Sequence, residues 1–151
     1  MTTTVVVGVD SSAESQSALR WAACYAELTG GTLRAVTAWE PAVQPVGPGR
    51  IMSPATDLVP PQDLHEVAAR LLDETVNDTL GPDHSHRLEK HVMPGDPAEV
   101  LLDRSDGAAV LVLGNGHHGA LAGALRGLGV LHCLHRADCP VVLVPAASGP
   151  D

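Results

Sequence analysis

Phenylalanine is absent from this chain, tyrosine occurs once (Tyr25) and tryptophan twice (Trp21, Trp39). A core without those rings has to be assembled from Ala, Val and Leu, which suits a Val-rich parallel sheet under Ala/Leu helices. The same scarcity removes the aromatic platforms on which single-stranded nucleic acid is usually held. Bases are few as well: nine Lys and Arg against 18 Asp and Glu leave a formal net charge of −9. No basic stripe is visible, so nucleic acid and anionic membrane surfaces are disfavoured as partners. Bulk charge does not exclude a small anion, because helix N-termini and backbone N–H groups attract one without any lysine.

The three cysteines, Cys24, Cys133 and Cys139, are odd in number and show no C-x-x-C spacing, so no disulfide framework is expected. Cys24 falls on a helical face and Cys139 just before an apolar strand, where both read as small buried hydrophobes. There is no basic leader and no apolar run long enough to span a bilayer, and the expectation is a soluble, cytoplasmic protein. A length of 151 residues is that of one domain.

What is present is an alternation of strands and helices. Thr4 to Val9 is a β-branched run of the kind buried on both faces of a sheet, and Asp10 follows it directly. Ser11 and Glu14 have capping-box spacing, with Ser12 equally placed to cap; a helix then buries Ala18, Leu19, Ala22, Ala23 and Ala26 until Gly30-Gly31. Leu33 to Trp39 is the second strand. A Pro-rich loop over about residues 40–61 follows, expected to be mobile, and then a helix carrying Leu64, Val67, Ala68, Leu71, Leu72 and Val76. Arg87 to Met93 is more polar and reads as an edge strand. Asp96, Pro97 and Glu99 supply N-cap, N1 proline and N3 acid for a short helix. Ala108 to Leu113 is a central strand, Val130, Leu131 and Leu134 mark a last helix, and Pro140 to Val144 a last strand. The pattern predicts an α/β fold: one open, doubly wound parallel sheet of five strands with helices on both faces, over residues 1–145, and a flexible tail at 146–151.

Between the central strand and the last helix lies the most distinctive stretch, Gly114-Asn115-Gly116-His117-His118-Gly119, continuing through Gly123 and Gly127 to Gly129. Glycines after a strand allow a positive φ and the close approach of an anion to the backbone. Gly114, Gly116 and Gly119 spell G-x-G-x-x-G, but late in the chain and with no acid closing the next strand, so the dinucleotide fingerprint is a poor fit. No G-x-x-x-x-G-K-[ST] occurs.

The order of motifs resembles the universal stress protein family along nearly the whole chain. Val6-Val7-Gly8-Val9-Asp10-Ser11-Ser12 is similar to that family's first strand and turn, and Leu19-Arg20-Trp21-Ala22 to its first helix. Gly95-Asp96-Pro97-Ala98-Glu99-Val100-Leu101 resembles its Gly-Asp-Pro helix start, and Ala137-Asp138-Cys139-Pro140-Val141-Val142 its final strand. The resemblance implies the adenine nucleotide alpha hydrolase-like fold, and a stress-response sensor that binds ATP, AMP or another adenine nucleotide, with Mg arriving only with the nucleotide. It places the ligand at Gly8, Val9 and Asp10 after the first strand, at the backbone of Ala38, and at the loop of Gly114, Asn115, Gly116, His117, Gly127 and Leu128.

Nucleotide-binding members carry G-x-x-G, nine residues, then Gly followed by Ser or Thr. Anchored on the preceding strand, the motif falls on Gly114, His117, Gly127 and Leu128, so that His117 stands for the second glycine and Leu128 for the hydroxyl residue. His117 adds bulk but can donate to phosphate; Leu128 can make no hydrogen bond, a loss of about 1.5–3 kcal/mol if the contact is charge-assisted. A second register, Gly116, Gly119 and Gly129, restores the glycine spacing but ends in Val130 and moves the loop two residues from the strand. The expectation is a nucleotide site with weakened phosphate contacts. The alternative is a non-binding, dimeric interaction module. Either form would pair as a homodimer through the apolar last strand, Pro140–Val144.

Eight histidines (His65, His84, His86, His91, His117, His118, His132, His135) invite a metal or pH-sensing reading, but no tight ligand motif is present, and solvated histidines are expected instead. Ser11 and Ser12 stand beside Asp10 without an assigned base, so no nucleophile is expected. The chain reads as a binder, with at most very slow ATP hydrolysis.

Overall fold

The run Val5-Val6-Val7 is fully buried because its side chains divide between two separate cores. Val5, Val7 and Val9 face one side of the sheet and Val6 the other, as the two-residue period of a strand requires. In the computed structural model of the chain, residues 2–40, 60–115 and 127–146 are described. They form β1 (Thr4–Gly8), α1 (Ala13–Thr29), β2 (Thr32–Trp39), α2 (Pro61–Leu80), β3 (Leu88–Pro94), α3 (Pro97–Arg104), β4 (Val110–Gly114), α4 (Gly127–Arg136) and β5 (Val141–Val144).

All the ladders are parallel and the strand order is β3-β2-β1-β4-β5. The chain winds outward through β2 to β3, crosses back over β1, and winds the other way through β4 to β5. Helices α1 and α2 therefore pack together on one face and α3 and α4 on the other. Leu33, Ala35, Leu72 and Val76 fill the first core with Ala18, Leu19 and Ala22; Val36, Leu101, Leu111, Leu113 and Cys133 fill the second. The five-stranded doubly wound sheet expected from the sequence is the sheet observed, and β3 takes its edge place.

Local signals act as expected at most ends. Ser12 is the N-cap of α1, its hydroxyl accepting from the Ser15 N–H at 3.1 Å, and Gly30 closes the helix with φ 67°. Asp96 caps α3 by accepting from the Glu99 N–H at 3.1 Å. The helix α2 begins three residues before its first periodic apolar position, because Pro61 suits the first turn, where no N–H is needed.

Two expectations change. Cys24 is exposed, because it lies on the outer side of α1 while Ala22, Ala23 and Ala26 take the inner one. Gly114 does not have a positive φ; its lack of a side chain serves packing instead, as described below. Most of the Pro-rich segment (41–59), the glycine-rich stretch 116–126 with Gly116, His117 and His118, and the end of the tail lie outside the described residues. Among the described residues, no helix is long and apolar enough to cross a membrane.

Candidate functional site

A sheet wound in both directions opens a crevice at the carboxyl ends of the two strands where the winding reverses, here β1 and β4. Asp10 follows β1 and Gly114 ends β4, so the two anchor positions of the sequence reading flank that point. Between them the first turn of α1 is tied down by hydroxyl groups. The Asp10 N–H donates to Ser15 Oγ at 2.8 Å, and one Asp10 carboxylate oxygen accepts from the Ser12 N–H at 2.7 Å. Ser15 Oγ in turn lies 3.4 Å from the Gly8 carbonyl. Asp10 thus uses one carboxylate oxygen to turn the chain into α1, an Asx turn. Ser15, 3% exposed, is the hub of this turn. Sequence reading passed over it, although a third serine three residues beyond the cap was the available signal.

Gly114 packs against that same turn. A Cβ added to it would stand 2.7 Å from the carbonyl carbon of Glu14 and 2.9 Å from its Cβ. Glu14 is buried at 7% exposure, and β4 therefore approaches α1 as closely as backbone allows. The Asn115 N–H donates to the Val144 carbonyl at 2.8 Å and so extends the ladder with β5, while its side chain is exposed. Gly127 opens α4, and the backbone of Leu128 continues it.

On the other flank, a cavity of about 300 Å³ lies across the carboxyl ends of β1 and β2, lined by the N-terminal half of α2 and by Pro97 and Leu101 of α3. Gly8, Val9, Asp10 and Ala38, four of the positions the sequence reading assigned to a ligand, all line it. Gly114 and Asn115 do not. The walls that sequence reading missed come mainly from α2, whose Leu64, Val67 and Leu71 look into the cavity, and from Thr37, Trp39 and Leu101. Val67 is 61% exposed, at the margin of the α2 face whose buried residues are Ala68, Leu72, Thr75 and Val76. Thr37 is buried and donates its hydroxyl to the Val9 carbonyl at 3.0 Å, while the Val9 N–H reaches the Val36 carbonyl at 2.8 Å. The floor is therefore polar backbone already paired, and the α2 wall is aliphatic. Gly8 sits under Leu101, whose Cδ1 would lie 3.1 Å from a Cβ there.

The histidines spread over the molecule. His132 on α4 contacts Glu99 Oε1 on α3 through Nε2 at 2.5 Å, His84 and His86 stack at a tilt, and His65 meets Trp39. Among the described residues, no group of three or more His, Cys, Asp or Glu stands close enough to hold a metal ion. Cys133 is buried beneath α3, and burial, with Asp96 and Glu99 nearby, pushes its thiol up to about 11.

These features define a class: a doubly wound α/β protein with a ligand-sized apolar cavity at the carboxyl edge of its sheet. The model of the universal stress protein family matches residues 1–145, and the chain belongs to that family. It is 35% identical over 140 residues to a universal stress protein of Mycolicibacterium smegmatis, a match that takes in 93% of this chain and 47% of the relative. The chain spans about half the length of the curated relatives it matches. Among solved structures, it resembles a universal stress protein in complex with cAMP (TM-score 0.63, 23% identity, 96% of this chain and 98% of that one). It also resembles an Arabidopsis thaliana member with AMP bound (TM-score 0.60, 17% identity, 97% and 93% covered). At such identities the likeness is one of fold.

Proposed function

We propose that this chain binds an adenine nucleotide and works as a stress-response sensor, with the base in the cavity between β2 and α2. The observation that carries the reading is that Gly8, Val9, Asp10 and Ala38 converge on one cavity of about 300 Å³. That volume is at the lower end of small-ligand pockets and suits a nucleoside with its phosphates outside. Family relatives of the same fold with cAMP and AMP bound support the ligand class. The phosphates would run toward Gly114, Asn115, Gly116 and His117 and the start of α4 at Gly127 and Leu128. There the motif lacks its second glycine and its hydroxyl residue, so phosphate contacts are weakened.

The protein acts by holding the nucleotide rather than by turning it over, and any Mg ion comes with the nucleotide. Residues 1–145 are the working unit, placed in the cytoplasm, with a tail after them. The place of β5 at the edge of the sheet among the described residues, with Val141 to Val144 all half-buried, supports a homodimer through that strand. The second reading, a non-binding dimeric interaction module, is favoured by His117 and Leu128.

The test is the nucleotide content of the protein as purified, followed by calorimetric titration with ATP, AMP and cyclic AMP. Saturable heat with any of them is the expected result. No heat at millimolar nucleotide would leave the interaction module as the function.

A further inference from the structure

Of the three aromatic residues in the chain, two are spent on each other. Trp21 and Tyr25 stack on α1 with centroids 5.2 Å apart and rings within 8° of parallel. The third, Trp39, ends β2 and lines the cavity beside Ala38. It is held at three points. Its backbone pairs in register with Pro94 of β3, and its carbonyl accepts from the Gly95 N–H at 2.8 Å. Its indole Nε1–H donates to His65 Nδ1 of α2 at 3.3 Å, the two rings meeting T-shaped at 82° with centroids 6.0 Å apart. An indole N–H can only donate, so this bond requires His65 with Nδ1 free to accept and the proton on Nε2.

The rest of the apolar wall is aliphatic. Leu64, Val67 and Leu71 bury a ligand's carbon surface without preferring any shape. A fixed aromatic ring adds what they lack: a flat π surface on which a planar heterocycle gains stacking energy. Fixing the ring beforehand also lowers the entropy lost on binding.

We propose that Trp39 is the base-stacking residue of this cavity and that His65 positions it, so that the site selects a flat aromatic base over the sugar phosphate that carries it. The proposal rests on the adenine-nucleotide reading and adds the residue and the selection to it.

Calorimetric titration of AMP, adenosine and ribose 5-phosphate into the full chain tests it. AMP and adenosine are expected to bind and ribose 5-phosphate to bind far less. W39A should weaken AMP binding about five- to 150-fold, the range of one lost base–aromatic stack, and W39F less. H65L should weaken it as well, whereas H65N, whose amide oxygen stands where Nδ1 does and can accept the indole proton, should restore it. In a W21F background, saturating AMP should quench the remaining Trp39 emission, a readout that needs no cavity variant to fold. If the wild type binds AMP and W39A binds it equally tightly, or if the Trp39 emission does not move, the stacking role is wrong while the adenine reading stands. If the wild type binds neither AMP nor adenosine, both fall.

Discussion

Gly114 at the end of β4 touches the backbone of Glu14 in the first turn of α1 so closely that a methyl group would overlap its carbonyl carbon at 2.7 Å. The contact gives this glycine a job that has nothing to do with a ligand. It sets how deeply α1 seats against the switch point, and with it where Asp10 and Ser12 stand.

Gly114→Ala should therefore destabilise the fold by about 1–3 kcal/mol, the cost of overpacking a backbone contact. Gly8→Ala should cost less, since the atoms it would meet are the methyl ends of Leu101, which can rotate aside. Urea denaturation of the two variants decides the order. Equal costs would show that α1 shifts freely.

Ser12→Ala removes the cap of α1 and should cost about 1 kcal/mol. Asp10→Asn keeps an oxygen for the Ser12 N–H and should unfold at nearly the wild-type urea midpoint, whereas Asp10→Ala should not. A neutral Asp10→Ala would mean that the 2.7 Å bond contributes nothing net.

Cys24 is exposed and Cys133 wholly buried. A thiol reagent at pH 8 should modify Cys24 quickly and Cys133 only after denaturant is added. Because the Cys133 thiol is raised from 9.0 to about 11, the unfolded chain loses this proton first as the pH rises. The stability it contributes is whole below pH 9.0 and drains as the pH climbs toward 11. Denaturation midpoints measured across that range should fall more steeply for wild type than for Cys133→Ala.

His91 on β3 is held below the usual imidazole value of 6.5 by burial and by the guanidinium groups of Arg34 and Arg104. A depressed histidine favours the folded state above pH 6.5 and stops doing so as the pH falls through its folded value. Midpoints taken from pH 7.5 to pH 5 should decline, and His91→Asn should flatten part of that decline. Identical slopes would remove His91 from the account.

Leu128→Ser restores the hydroxyl that nucleotide-binding members carry at this motif position. If AMP or ATP binds, this change should tighten it about tenfold, the worth of one good phosphate hydrogen bond. An unchanged affinity would favour the register through Gly116, Gly119 and Gly129.

Much of the fold was legible along the chain because its signals are local. The unbroken Val5-Val6-Val7 reads as a strand covered twice, Asp96-Pro97 reads as a helix start, and both are observed. The cavity was legible only where a strand end lines it. Gly8, Val9, Asp10 and Ala38 could be placed because parallel strands in an open sheet deliver their carboxyl ends to one edge. The α2 wall could not. Leu64, Val67 and Leu71 share the helical period of ordinary core residues, and nothing in that period distinguishes a leucine facing a neighbour from one facing a cavity.

The elements, their alternation and so the doubly wound sheet follow from the order of residues along the chain, since helix and strand periods, caps and glycine stops act within a few residues of each other. What each signal serves depends on the assembled fold. Gly114 proved to be a packing glycine against Glu14, Ser15 the hub of the Asp10 turn, and Trp39 a cavity wall fixed by His65. Those roles depend on contacts between residues 26 to 100 positions apart or on the exact closure of a turn, and no local pattern encodes a distance between groups that meet only when the sheet is assembled.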